Sequence, residues 1–467
     1  MSNNILSTIT YSRLLIAKHQ LFGFVISILS FLLISSSSFG QHKGFSLSTV
    51  SVRIYDASAS VLSEINKVPD IERRSVLIGS ELSQSDFDDV CSRLKWITKL
   101  SVENSHDISD LSSVRKLKDL ESFQLKKCSP GKPISLLPLS DVETLKRLFV
   151  ISTEVVDYES LGALTQLEEI SFEKSPITSL DFLASMTQLK SLNVMGANHT
   201  FQNYDTLAKL QQLTYLNVSG NPQATSDNLD IFSDVSTLTK VDVSDCDHLK
   251  SLGFLYSCVG RLQEFYAVGC DSISNFDALI RASKLKKVDI SNSKAKNISF
   301  LKNKLNMKEL RIHGTLVQSI EELSVCENME MLDISNTNVS DISTLSVMSK
   351  LKRLNISGTL VDSVSALSGC PSLVWFDGSS AGNLTSLEGM EACEKLNKIY
   401  LGHTQVRNLR PLYAAKKISY IQVDEDVPQV HLEALKRRSP LIVIDKVKIA
   451  PLPENENTES EESVLSE

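Results

Sequence analysis

Trp375, Tyr400 and Tyr420 follow one another at intervals of 25 and 20 residues, and Asp377 stands two residues after the first. Aromatic rings beside charges are the usual anchors of a protein interface, since Trp and Tyr combine a large apolar body with a polar handle. A second series, Asp242, Tyr266, Asp289, Arg311 and Asp333, leads up to them at intervals of 22 to 24 residues. Nothing comparable points to catalysis. The eight histidines (His19, His42, His106, His199, His248, His313, His403 and His431) are scattered, and no two stand four apart as in a helical metal pair. Asp and Ser recur together in strings such as "DISN" and "DVSD", and paired acids could serve a hydrolase. Their return in register makes them strand-flanking polar residues instead. No enzymatic activity, metal or cofactor is expected.

What must position these side chains is a repeat. From residue 97 to 445 one phrase returns about every 22 residues, most clearly in "MEMLDISNTNVSDISTL" from Met329 and "LKRLNISGTLVDSVSAL" from Leu351. Apolar residues fall at positions 1, 4 and 6, a small residue at 9, and further apolar residues near 11, 14 and 17. Position 1 is occupied in turn by Ile97, Leu120, Leu145, Leu167, Leu189, Leu213, Leu238, Leu262, Leu285, Met307, Met329, Leu351, Leu373, Leu396 and Ile418, making fifteen copies. One copy cannot bury its own apolar face, so copies must stack. Alternation around positions 3 to 7 predicts a strand, and apolar residues three apart in the second half predict a short helical or 3-10 return. A degenerate copy is expected at 75–82 ("SVLIGSEL") and a closing strand at 441–444 ("LIVI"). Gly378 replaces the apolar residue at position 6, which predicts a local irregularity in the copy starting at Leu373.

This phrase resembles the leucine-rich repeat family. Thr315, Thr337, Thr359 and Thr404 at position 9, with apolar residues following in a "VxDIxxL" pattern, bring it near the 22-residue class of bacterial internalins and of the leucine-rich regulatory subunit of type 1 protein phosphatase. Asn, common at position 9 in the family, occurs there only at Asn221. The resemblance implies an α/β fold: a right-handed curved solenoid with a parallel sheet on the concave face and short helical or 3-10 turns on the convex face. It implies a binding scaffold without specifying the partner.

Residues 1–40 carry Arg13, Lys18, no acidic residue and an apolar run over 21–34, the features of a signal peptide cleaved before Gln41. Residues 41–96 form a capping region with the degenerate copy, 97–445 the solenoid, and 446–467 an acidic tail holding six glutamates after Pro451. The formal charge of −8 becomes −10 once the two cations of residues 1–40 are removed. That balance gives nucleic acid no basic stripe to bind, and the mature chain has no expected membrane span. All eight cysteines lie after residue 40. Cys128, Cys246 and Cys270 take position 9, where Cys serves as a compact apolar residue. An even count in an exported chain also permits bridges, and Cys246 with Cys270 and Cys370 with Cys393 share columns in adjacent copies. Six glycosylation sequons occur, at Asn198, Asn217, Asn297, Asn338, Asn355 and Asn383.

If positions 3, 5 and 7 project onto the concave face, position 5 forms a stripe of Asp242, Tyr266, Asp289, Arg311, Asp333, Asn355, Asp377 and Tyr400. Position 3 adds Trp375 and Tyr420. Position 7, Ser in most central copies, leaves a flat lane suited to an extended basic segment of a partner. Phe149 and Ile151 form a weaker apolar candidate. The reading is an exported, monomeric recognition or adhesion module whose concave face binds another protein. An intracellular scaffold or phosphatase regulator, or a surface component with no discrete partner, are the alternatives.

Overall fold

The computed structural model describes residues 41–42, 45–47, 51–67, 75–197 and 208–448. Residues 1–40, most of the acidic tail and the sequon at Asn198 lie outside them. The chain divides into two compact units, Met1–Ser272 and Ile273–Glu467.

In the second unit the strands Lys287–Asp289, Glu309–Arg311, Met331–Asp333, Arg353–Asn355, Trp375–Asp377, Lys398–Tyr400, Tyr420–Asp424 and Val443–Val447 pair in parallel, each with the next. The pairing keeps repeat position against repeat position, so Met331, Arg353, Trp375, Lys398 and Tyr420 stand in one column. The return path is 3-10, as in Ser343–Val347 and Ser365–Gly369. Leu351, Leu354, Ile356, Val361, Val364 and Leu367 of one copy are all fully buried. Burying each is worth about 1.5–3 kcal/mol.

The first unit has the same layers. Its parallel strands run from Val52–Ile54 and Ser75–Ile78 through Lys99–Glu103 and Ser122–Lys126 to Glu264–Tyr266. The degenerate copy therefore supplies a strand in register. Phe45–Leu47 pairs antiparallel with Val52–Ile54, which turns the chain into the first parallel position. The helix Gln84–Arg93 starts at Ser83, whose hydroxyl accepts from the Asp86 N–H while the Asp86 carboxylate accepts from the Ser83 N–H.

Two local features differ from the expectations, and a third decides between the two readings of the cysteines. The closing strand runs Val443–Val447, because Val443 takes the register of Tyr420 and leaves Leu441 outside, 93% exposed. The ladder continues through Gly378, whose N–H donates to the Tyr400 carbonyl at 2.9 Å. A Cβ at Gly378 would lie 2.9 Å from the Phe376 ring, so the glycine makes room for a buried aromatic. All eight cysteines are free, buried thiols. Cys246 and Cys270 donate to the carbonyls of Val218 and Val243, much as Thr337 and Thr359 at the same position donate to Ile334 and Ile356 at 2.6 Å. Burial pushes the Cys370 and Cys393 thiols up to about 12, which keeps them protonated and poorly nucleophilic.

Position 8 carries a demand of its own. Asn104, Lys127, Ser152, Lys174, Asp245, Asn292, Asn336, Ser380 and His403 all have positive φ there, as do Gly314 and Gly358. Asn and Gly alternate because they stack: a Cβ on Gly358 would lie 2.2 Å from Asn336 Oδ1. Leu354→Ala is expected to cost about 2–5 kcal/mol by opening a cavity. Gly358→Ala is expected to cost about 1–3 kcal/mol through left-handed strain. Urea unfolding followed by circular dichroism measures both, and an exposed-site control such as Lys352→Ala should change little.

Candidate protein-binding face

Strand alternation sends positions 4 and 6 into the core and leaves positions 3 and 5 half-buried or exposed on the opposite face, as in Trp375–Asp377. Column 5 of the second unit does two jobs. Asp289, Asp333, Asn355 and Asp377 each accept, through Oδ1, the backbone N–H two residues on, at 3.0–3.1 Å. Asp333 and Asp377 also accept the hydroxyls of Ser335 and Ser379, at 2.5 Å. These are Asx turns that end three-residue strands. Burial holds the Asp289 and Asp377 carboxyls above the ordinary carboxylate range, with bonds from Ser291 and Ser379 opposing it. Arg311 lies 4.0 Å from Asp289 and 3.8 Å from Glu309. Ser291 and Ser335 are buried, so the position-7 lane is not open there.

The aromatic residues do come together. The Trp375 and Tyr400 ring centroids are 5.7 Å apart at 50°, and those of Tyr400 and Tyr420 are 5.1 Å apart at 42°. Asp377 pairs with Tyr400 across the ladder. The Arg353 guanidinium lies 5.0 Å from the Trp375 centroid, a cation–π contact. At the far end Tyr420 donates its phenol to Asp445 Oδ2 at 2.8 Å, and Gln422 donates to the same oxygen at 3.0 Å.

Asp242 and Tyr266, in the first unit, are buried, at 9% and 8% exposure. Lys240 lies 4.9 Å from the Tyr215 ring centroid, 5.4 Å from that of Tyr266 and 3.4 Å from Glu264, and Tyr266 donates to Glu264 at 3.0 Å. Phe149 is half-buried and Ile151 buried. Two residues of the second unit were missed in the sequence: Arg353 and Lys398, exposed in column 3 on either side of Trp375. Column 3 taken alone reads Arg, Trp, Lys, Tyr, and that was the available signal.

The string "GSSAG" at 378–382 has the letters of a nucleophile elbow. Its Ser380 has φ 57°, but so does position 8 generally, and His403 in the next copy makes no hydrogen bond to it. Among the described residues no group of three or more His, Cys, Asp or Glu could hold a metal ion. No helix among them is long and apolar enough to cross a membrane.

No family model and no curated protein matches the sequence. Solved structures do. An internalin from Listeria monocytogenes matches with a TM-score of 0.56 at 20% identity, over 78% of this chain and 94% of its own. A leucine-rich repeat protein from Leptospira interrogans matches with a TM-score of 0.66 at 15% identity, over 84% of this chain and 99% of its own. The fold is that of the leucine-rich repeat proteins. The leucine-rich repeat ectodomain of the Arabidopsis receptor kinase HAESA, in complex with a peptide hormone, matches with a TM-score of 0.52 at 14% identity, over 77% of this chain and 68% of its own.

Burial first, then the bond to Asp445 and its charge, push the Tyr420 phenol up from 10.0 to about 12. The folded state thus favours the protonated phenol: its contribution is complete below pH 10 and is lost as pH rises through 12. Absorbance titration at 295 nm, wild type minus Tyr420→Phe, should place this tyrosine near 12. Asp445→Asn should move it down.

Proposed function

We propose that this chain is a non-enzymatic, exported leucine-rich repeat module that binds another protein through the concave, strand-bearing face. The continuous contact of Trp375, Tyr400 and Tyr420 carries this reading. Half-buried aromatic rings beside charged groups are the composition of interface centres. Asp377 lies beside them, and Asp333, Arg311 and Asp289 flank them in the same unit. In the first unit, Asp242 and Tyr266 form a secondary, more enclosed patch. The internalin and peptide-bound receptor folds support a recognition role, and the module acts as a monomer.

Truncating a central aromatic of such an interface commonly costs 2 kcal/mol or more, about thirtyfold in affinity. Trp375→Ala and Tyr400→Ala should each abolish retention of a partner from the native host while leaving the circular dichroism spectrum intact. Phe149→Ser should retain it. Unchanged retention by both aromatic variants would sink the proposal.

Export rests on the charge and apolar pattern of residues 1–40 and is tested separately. The intact mass of protein from the medium of its native host should begin at Gln41. A second reading, an intracellular scaffold, is favoured by one observation, the eight buried free thiols. A full-length species confined to the cytosol would decide for it.

A further inference from the structure

We infer that the segment taken by the Trp375 face is extended and acidic, with carboxylates three residues apart, and belongs to another protein. This rests on the proposed binding role of that face and reverses the charge that the aspartate stripe suggests. Column 3 alternates cation and ring over four consecutive strands: Arg353, Trp375, Lys398, Tyr420. Both cations are exposed. Among the described residues neither makes an ion pair, whereas neighbouring cations do: Lys352 with Glu330 at 2.6 Å, Lys287 with Glu309 at 3.0 Å, and Arg311 with Asp289. Of the acids nearby, Asp377 is largely buried and Asp445 is half-exposed at the far end of the row. Asp377 accepts two bonds from Ser379, and Asp445 is held by Tyr420 and Gln422. What stands outward along column 3 is therefore positive charge and ring.

Spacing narrows the ligand further. Arg353 and Lys398 are two strands apart, roughly 10 Å at about 4.8 Å per strand. A polyproline II segment repeats its face every three residues, about 9.3 Å. Carboxylates at i and i+3 thus meet Arg353 and Lys398, while an apolar or aromatic residue between them covers Trp375 and Tyr400. The rings are tilted by 50° and 42° to one another and so form no flat platform.

The test uses the full chain carrying Trp96→Phe, so that Trp375 is the only tryptophan. Its emission is titrated with three proline-rich nine-residue peptides bearing Glu, Gln or Lys at every third position. The Glu peptide should shift the emission and bind at least about tenfold tighter than the Lys peptide at low salt, with the advantage shrinking as salt rises. Arg353→Gln and Lys398→Gln should each weaken it about two- to fivefold, the range of exposed ion pairs, while Arg115→Gln in the first unit should not weaken it. Equal or tighter binding of the Lys peptide overturns the inference and leaves the partner-binding face standing. Silence from all three peptides, together with partner retention unaffected by Trp375→Ala, removes both. The competing occupant is this chain's own segment 451–467. If replacing its six glutamates with Gln tightens Glu-peptide binding tenfold or more, that segment holds the row and the external partner is overturned.

Discussion

A three-residue strand cannot keep its backbone paired or its single inward side chain dry unless a copy of itself lies on each side. Lys287–Asp289, Glu309–Arg311 and the four strands after them are all of this length. Everything else follows from that dependence. Because each strand must present the same register to both neighbours, side chains 22 or 23 residues apart become neighbours. A column is then the natural unit of both stability and recognition.

The columns divide the work between them. Positions 1, 4 and 6 are apolar and buried. Position 8 is set by backbone handedness, and position 9 by a small donor reaching a carbonyl. Position 5 is where the two demands meet. An Asp there ends the strand by accepting the next turn's N–H, and a Tyr there, as at Tyr400, gives up that bond and adds a ring to the face. The aspartates of column 5 are therefore explained by turn closure before any partner is invoked. Column 3 has no such duty, so its composition is free to follow a ligand.

The apolar columns are legible in the sequence because fifteen copies repeat one chemical class at one spacing. The clustering of Trp375, Tyr400 and Tyr420 is legible for the same reason: register alone brings them together. Position 8 is not legible, since Asn, Lys, Ser, Asp, His and Gly share a conformation but no chemistry. Nor is the enclosure of Tyr266, which Lys240 and Glu264 contact. Arg353 and Lys398 are not legible either, because charges on a strand face have the pattern of ordinary solvated positions and only the ring contacts between them set them apart. The closing strand starts two residues later than the apolar string "LIVI", because register with Tyr420, and not hydrophobicity, decides the pairing.

Asp445 lies on the last described strand, yet it holds Tyr420, which in turn stacks on Tyr400. Terminal copies of a stacked array lose structure before internal ones, because each has one neighbour instead of two. Unpairing of Val443–Val447 would release Gln422 and Tyr420 at once and remove one end of the aromatic row. The proposed face thus depends on the pairing of Val443–Val447, a strand that contributes none of its rings.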